Sequence, residues 1–310
     1  MKIIIAGHKQ PDTDSALSSI AYAELKKKID PKNEYIPTVC AEVNNETKYV
    51  LDYFKQDSPQ KFEDIKNYEG LIVLDHTELS QASEYFDPAK VLEIIDHHRL
   101  ADMQTPAQVF VRIEMLGSTS TIIAKIYFEK KIEPSKEIAG LLIAGIISDT
   151  LYLKSPTTTE EDKEILNKLN KIVQIDDLDK FAMSMFEAKS DISSLSPYDI
   201  VTKDYKAFNF SKKIGIGTWE TVLPDPILDI KDKLISELNK LKEQEQVNLM
   251  YFFIVDILNH KSWMLIIGDK EKEAAEATFG GNTENNILPT GNRVSRKKEI
   301  APFLEAYFRK

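Results

Sequence analysis

The stretch KVLEIIDHH, residues 90–98, runs from an apolar segment straight into Asp96, His97 and His98 with no turn residues between. An apolar run of strand length that ends abruptly in charge reads as a central strand of a parallel sheet, buried on both faces. Working outward, GLIVLDH at 70–76 repeats the pattern and delivers Asp75 and His76, while KIIIAG at 2–7 leads into His8, Asp12 and Asp14. Four of the five histidines therefore stand beside aspartates at three strand ends. Strand ends on one edge of a parallel sheet converge in space, so carboxylates and imidazoles placed there can share a small cluster of divalent metals.

Length and composition bound the answer. A chain of 310 residues exceeds what one hydrophobic core usually organises, so two domains are expected. No apolar run approaches the ~20 residues of a membrane-spanning helix, and the N-terminus lacks the long apolar region of a signal peptide. The one cysteine, Cys40, excludes an intramolecular disulfide and a cysteine-rich zinc site, and points to the cytoplasm. A formal charge of -10 argues against a broad surface for nucleic acid or anionic lipid, so an anionic substrate needs cations gathered locally.

The first half alternates strand and helix signals. After the first strand comes a helical pattern with Leu17, Ile20, Ala21 and Leu25 on one face, and further helical patterns lie between and after the later strands. EIAGLLIAGIISDT at 137–150 is apolar nearly all round and reads as a buried helix that delivers Asp149. These signals predict a parallel sheet with helices on both faces. KSDISSLSP marks a linker at 189–197, separating a domain over 1–188 from a smaller α/β domain over 198–310. The second domain shows strands around IGIGTW (214–219), VNLMYFFIVDIL and SWMLIIG, a helix with Leu234, Leu238 and Leu241 in register, and a Gly/Asn-rich passage before the basic string Arg293, Arg296, Lys297 and Lys298.

Simpler readings exist for single residues. Asp14, followed by Ser15, suits a helix N-cap, and Asp75 suits local hydrogen bonds at a strand end. His76 reads equally as a support for a ligand or as a strand-end hydrogen bonder, His260 reads as surface, and Met183, Met185 and Phe186 read as packing. The joint pattern favours metal. A carboxylate-rich set with imidazoles and no thiolate suits Mn²⁺, Mg²⁺, Co²⁺ or Fe²⁺, and more than four ligands suggest two ions, an arrangement used in phosphoryl hydrolysis.

GHKQPDTD, LDH and IDHH resemble the signature motifs of the DHH phosphoesterase superfamily. With Asp149 in ISDT and VSRKKEIAPFL near the C-terminus, the whole chain resembles the family II, manganese-dependent inorganic pyrophosphatases. The resemblance implies that His8, Asp12 and Asp75 hold one metal, and that Asp14, Asp75, His97 and Asp149 hold the other, with Asp75 as the bridge. It further implies catalytic and substrate-binding roles for His98, Lys206, Arg296 and Lys297, with the active site in the cleft between the two domains and the linker as a hinge. Lys203 is an alternative register for Lys206, and Arg293 is an extra cation beside the clamp.

The implied activity is hydrolysis of pyrophosphate to two phosphates by a hydroxide bridging two Mn²⁺ per chain, with Co²⁺ as an alternative ion and an additional Mg²⁺ entering with the substrate. A homodimer and no nucleic-acid or membrane partner are expected. The alternative within the superfamily is an exopolyphosphatase or an oligonucleotide or cyclic dinucleotide phosphodiesterase. A noncatalytic metal-dependent binding protein would be expected to have lost a ligand, and none is missing.

Overall fold

The computed structural model describes residues 1–65 and 67–309, which divide into two compact units, Met1–Ala188 and Lys189–Lys310. In the first unit the chain runs β1 (Lys2–Ala6), α1 (Thr13–Ile29), β2 (Glu34–Val39), α2 (Asn45–Tyr53), β3 (Gln60–Lys61), β4 (Gly70–Leu74), β5 (Val91–Asp96) and β6 (Phe110–Ile113). Four helices follow: α3 (Thr119–Glu129), α4 (Lys136–Thr150), α5 (Glu160–Val173) and α6 (Leu178–Lys189). The strands pair in the order β3-β2-β1-β4-β5-β6, all parallel.

That order follows from the sequence pattern. Ile3, Ile4, Ile5, Leu71, Ile72, Val73 and Ile95 are all buried, as strands covered on both faces require. From β1 the chain winds first to β2 on one side and later to β4 on the other, so the order reverses between β1 and β4. The carboxyl ends of strands flanking such a reversal form the crevice where open α/β sheets bind ligands. His8, Asp75 and His97 follow β1, β4 and β5 at that edge.

One simpler reading falls away and two local expectations need correction. The N-cap of α1 is Asp12, whose Oδ1 accepts from the Ser15 amide at 2.9 Å, and Asp14 sits instead in the first helical turn. No α-helix lies between β4 and β5 among the described residues; the connection uses two 3₁₀ turns, Leu79–Gln81 and Pro88–Lys90. Its serines and aspartate compete for backbone hydrogen bonds, and Pro88 cannot occupy a helix interior. Ile20 is only half-buried, whereas Leu17, Ala21 and Leu25 are fully buried.

The outer strands differ. β3 has two residues, whereas β6 presents Phe110 and Val111 with about half of each surface exposed.

The second unit contains α7 (Pro197–Thr202), β7 (Tyr205–Asn209), β8 (Lys213–Thr221), α8 (Asp225–Asp229), α9 (Lys231–Gln244), β9 (Leu249–Asp256), β10 (Lys261–Leu265), α10 (Asp269–Phe279), β11 (Ile287–Gly291), a π-turn (Arg296–Ile300) and α11 (Ala301–Phe308). Its mixed sheet has the order β11-β10-β9-β8-β7, with β8 and β9 parallel and the other pairs antiparallel. β9 alternates its contacts: Tyr251, Phe253 and Val255 pack on one face, while Met250, Phe252 and Ile254 meet Leu234, Leu238 and Leu241 of α9 on the other. β11 arises inside the Gly/Asn-rich passage and was not expected there. Pro289 and Gly291 suit only an edge strand, the position β11 takes.

Candidate metal centre

The site of the first unit is built around Asp75. It follows β4 with φ at 65°, in the left-handed region that few non-glycine residues adopt, although aspartate tolerates it better than most. Its amide is anchored to the Ile95 carbonyl at 2.9 Å, which fixes the bend beside β5. The fully buried carboxylate has Oδ2 at 3.4 Å from His8 Nε2 and Oδ1 at 3.4 Å from His97 Nε2.

Two overlapping sets result. His8, Asp12 and Asp75 form one, Asp14, Asp75, His97 and Asp149 the other, and within each set one oxygen or nitrogen per residue lies within 4.8 Å of all the rest. His8 Nε2 is 3.4 Å from Asp12 Oδ2, and His97 Nε2 is 3.3 Å from Asp149 Oδ2. Ligands that hold one ion at about 2.1 Å sit about 3 Å apart, so these groups stand close to the required spacing. A third grouping, Asp75, His97 and His98, reuses two of the same residues.

Other elements hold the ligands in place. The first amides of α3, Thr119 N and Ser120 N, donate to the two oxygens of Asp14 at 2.7 and 3.0 Å, using the anion-favouring end of that helix. The Thr119 hydroxyl donates to Asp75 Oδ1 at 2.9 Å. Asp162, the N3 residue of α5, accepts from the Gly117 amide and the Thr121 hydroxyl and thereby fixes the turn that starts α3. Asp149 rides near the end of α4, where Leu151, Tyr152 and Leu153 all take positive φ and turn the chain sharply away.

His97 Nδ1 faces the Leu116 carbonyl at 3.0 Å, so Nδ1 carries a proton and Nε2 is directed at Asp75 and Asp149. His98 is half exposed, with Nδ1 at 2.9 Å from Asp96 Oδ1. His76 stands in none of the three sets: its Nδ1 meets the Leu74 carbonyl at 2.9 Å, its ring lies edge-on to His8, and burial pushes its pKa down.

Electrostatics show what the cluster lacks. Burial opposes a charge on His8, yet Asp12 and Asp75 outweigh it and lift the imidazole to about 10. His97 is lifted to about 12 against the same penalty by Asp149 and Asp75. Burial, reinforced by neighbouring carboxylates, raises Asp14 and Asp149, whereas the two imidazoles hold Asp75 below its usual range despite its burial. Protons thus take up the positive charge that this crowd of carboxylates demands. Asp75 Oδ2 and His97 Nε2 are nonetheless buried without a hydrogen-bond partner. Buried oxygen and nitrogen atoms converging from several elements, with no thiolate among them, fit divalent ions of the manganese and magnesium type once the imidazole protons are displaced.

The expected phosphate-binding cations lie in the second unit. Lys206 is exposed on β7, and Arg296 and Lys297 open the π-turn. Arg296 Nη2 donates to Asp204 Oδ1 at 2.7 Å, and Nη1 to the Asp204 carbonyl, which brings the π-turn beside the start of β7. Lys203 lies over the Trp219 ring at 4.7 Å. The Arg293 guanidinium sits between the Phe279 and Phe303 rings and donates to the Thr290 carbonyl, a packing role. Lys298 and His260 are exposed, Met185 and Phe186 are core, and Met183 is partly exposed. Among the described residues, no helix is long and apolar enough to cross a membrane.

Two family models match, the N-terminal domain of the DHH family over residues 2–146 and the DHHA2 domain over 183–307. The manganese-dependent inorganic pyrophosphatase of Methanothrix thermoacetophila is 41% identical, covering 99% of each chain, and that of Bacillus subtilis is 38% identical over 98% of this chain and 97% of the other. A solved structure from Methanococcus jannaschii, assigned to the family II inorganic pyrophosphatases, is 34% identical, covers 100% of both chains and superposes with a TM-score of 0.65. With its six-stranded parallel sheet, smaller second sheet and Asp75-centred ligand sets, the chain belongs to the family of manganese-dependent inorganic pyrophosphatases.

Proposed function

We propose that the chain hydrolyses inorganic pyrophosphate to two phosphates at a dinuclear Mn²⁺ centre. The observation that carries the reading is the membership of Asp75 in both ligand sets, each oxygen facing a different imidazole. His8, Asp12 and Asp75 would hold one ion, and Asp14, Asp75, His97 and Asp149 the second, with Co²⁺ as an alternative. When bound, such ions supply Lewis-acid charge that neutralises phosphate oxygens and activates water near neutral pH, and an additional Mg²⁺ is proposed to arrive with the substrate.

The remaining steps belong to side chains. Arg296, with a planar fork of donors, and Lys206 and Lys297, as point charges, would bind phosphate oxygens and keep the anion oriented through the reaction. His98 would donate a proton to the departing phosphate. Asp96 orients its Nδ1, and that contact raises its pKa against burial and so favours the protonated form. We further propose that two copies pair through the first unit, because the outermost strand β6 exposes Phe110 and Val111.

The deciding experiment is phosphate release by metal-stripped protein reloaded with Mn²⁺, with pyrophosphate, long polyphosphate and a dinucleotide compared side by side. Strong preference for pyrophosphate is expected. Preference for polyphosphate or the dinucleotide would move the chain to another branch of the superfamily, and inactivity on all three would overturn an enzymatic role. Asp75→Ala should abolish turnover and weaken Mn²⁺ binding by more than about 100-fold; retention of both would remove Asp75 as the bridge.

A further inference from the structure

Glu46 lies in the first turn of α2, outside all the ligand sets, and is fully buried. Its Oε2 accepts two hydrogen bonds, from the Thr13 hydroxyl at 2.7 Å and from the Ser148 hydroxyl at 2.7 Å. Thr13 stands between Asp12 and Asp14 at the start of α1, and Ser148 immediately precedes Asp149 near the end of α4. A single carboxylate oxygen from a third helix therefore ties together two helix ends that bring three of the proposed ligands from positions more than a hundred residues apart. We propose that Glu46 is a positioning residue for the metal centre, setting the register of α1 against α4 so that Asp12, Asp14 and Asp149 meet around Asp75.

The chemistry suits that task better than it suits stability alone. Burying a carboxylate is expensive unless hydrogen bonds compensate, and an apolar side chain would fill the same space among three helices at less cost. A carboxylate oxygen with two hydroxyl donors instead fixes direction as well as distance, because each donor must point at the same atom. The Thr13 hydroxyl also lies 3.1 Å from the Thr47 hydroxyl, one residue beyond Glu46, so α2 holds the start of α1 at two adjacent points. Asp14 has little freedom to compensate for a slip of α1, since both its oxygens are committed to the amides of Thr119 and Ser120. A shift at Glu46 would reach the ligands directly.

The proposal rests on the metal reading, and its test separates the two. Mn²⁺ dissociation constants are measured by calorimetry on metal-stripped full-length protein for wild type, Glu46→Ala and Glu46→Gln, alongside Mn²⁺ electron paramagnetic resonance spectra and the KM and kcat for pyrophosphate. Glu46→Ala is expected to raise the Mn²⁺ dissociation constant by about 10–100-fold, the usual effect of removing a group that orients a ligand, and to alter the spectrum while leaving KM at saturating metal within about threefold. Glu46→Gln, which keeps an oxygen for both hydroxyls, is expected to restore metal affinity to within about threefold.

Glu46→Ala protein that merely melts at lower temperature, with wild-type affinity and spectrum, would overturn the positioning role. If Glu46→Ala does not fold, Thr13→Val and Ser148→Ala each remove one arm, and unchanged Mn²⁺ affinity in both would overturn it equally. Wild-type protein that binds no Mn²⁺ would instead overturn the metal reading, and the proposal with it.

Discussion

Thr119 gives its hydroxyl hydrogen to Asp75 while its amide donates to Asp14, so one residue at the start of α3 touches both proposed metal sets. Thr119→Val keeps the shape and the amide but removes the hydroxyl. Mn²⁺ affinity should fall by about 10–100-fold with the fold intact, and equal affinity by calorimetry would show that Asp75 is oriented by its backbone alone.

Gly145 of α4 lies against the Asp14 carboxylate. A β-carbon there would stand 2.1 Å from Ser120 Oγ and 2.6 Å from Asp14 Oδ1, distances no real side chain keeps. Gly145→Ala should destabilise the protein by about 1–3 kcal/mol and weaken Mn²⁺ binding as Asp14 is displaced. A stability loss in denaturant titration with undisturbed metal affinity would mean that α4 shifts instead.

The titration of the imidazoles sets a pH dependence. His8 and His97 are raised to about 10 and about 12 in the metal-free chain, so their stabilisation is fully present below about 6.5, the unfolded value, and is lost as pH rises toward the folded values. Thermal unfolding in chelator should therefore shift to lower temperature between pH 6.5 and 9.5. Metal must displace these protons, so Mn²⁺ should bind more tightly at pH 8 than at pH 6, with proton release visible in buffers of differing ionisation enthalpy. A flat affinity across that range would contradict the assignment of His8 and His97 as ligands.

Lys297→Ala removes an exposed cation far in sequence from every proposed ligand. Loss of one charge-assisted contact should lower kcat/KM for pyrophosphate by about 10–100-fold while Mn²⁺ affinity stays at wild type. Loss of metal binding would remove Lys297 from the phosphate clamp.

Much of the first unit could be read in the sequence because its strands are short, apolar and end in charge. KVLEIIDHH, GLIVLDH and KIIIAG each became a central strand at the expected place. The helix carrying Asp149 was equally plain, since it is buried on all sides. The edges were harder. β6 is largely exposed and β11 contains a proline and a glycine, so neither has the apolar signature of a buried strand. The cap of α1 fell to Asp12 because Asp14 is claimed by α3, a partner 105 positions away that no local pattern announces. Glu46, Gly145 and Asp162 escaped for the same reason: each acts through contacts that exist only once the helices have packed. The hydroxyl-rich run GSTST at 117–121 cradles Asp14, Asp75 and Asp162 only because of the helix end it becomes.

The unequal borders of the six-stranded sheet limit growth. At one side the sheet ends in two residues, too few to template a neighbour, and at the other in β6 with apolar side chains exposed. Among the described residues, the six-stranded sheet therefore has one adhesive border and no second one to offer a third copy. If two copies join through β6 about a twofold axis, each covers the other's exposed border, and the six-stranded sheet has no further one through which to add a third copy.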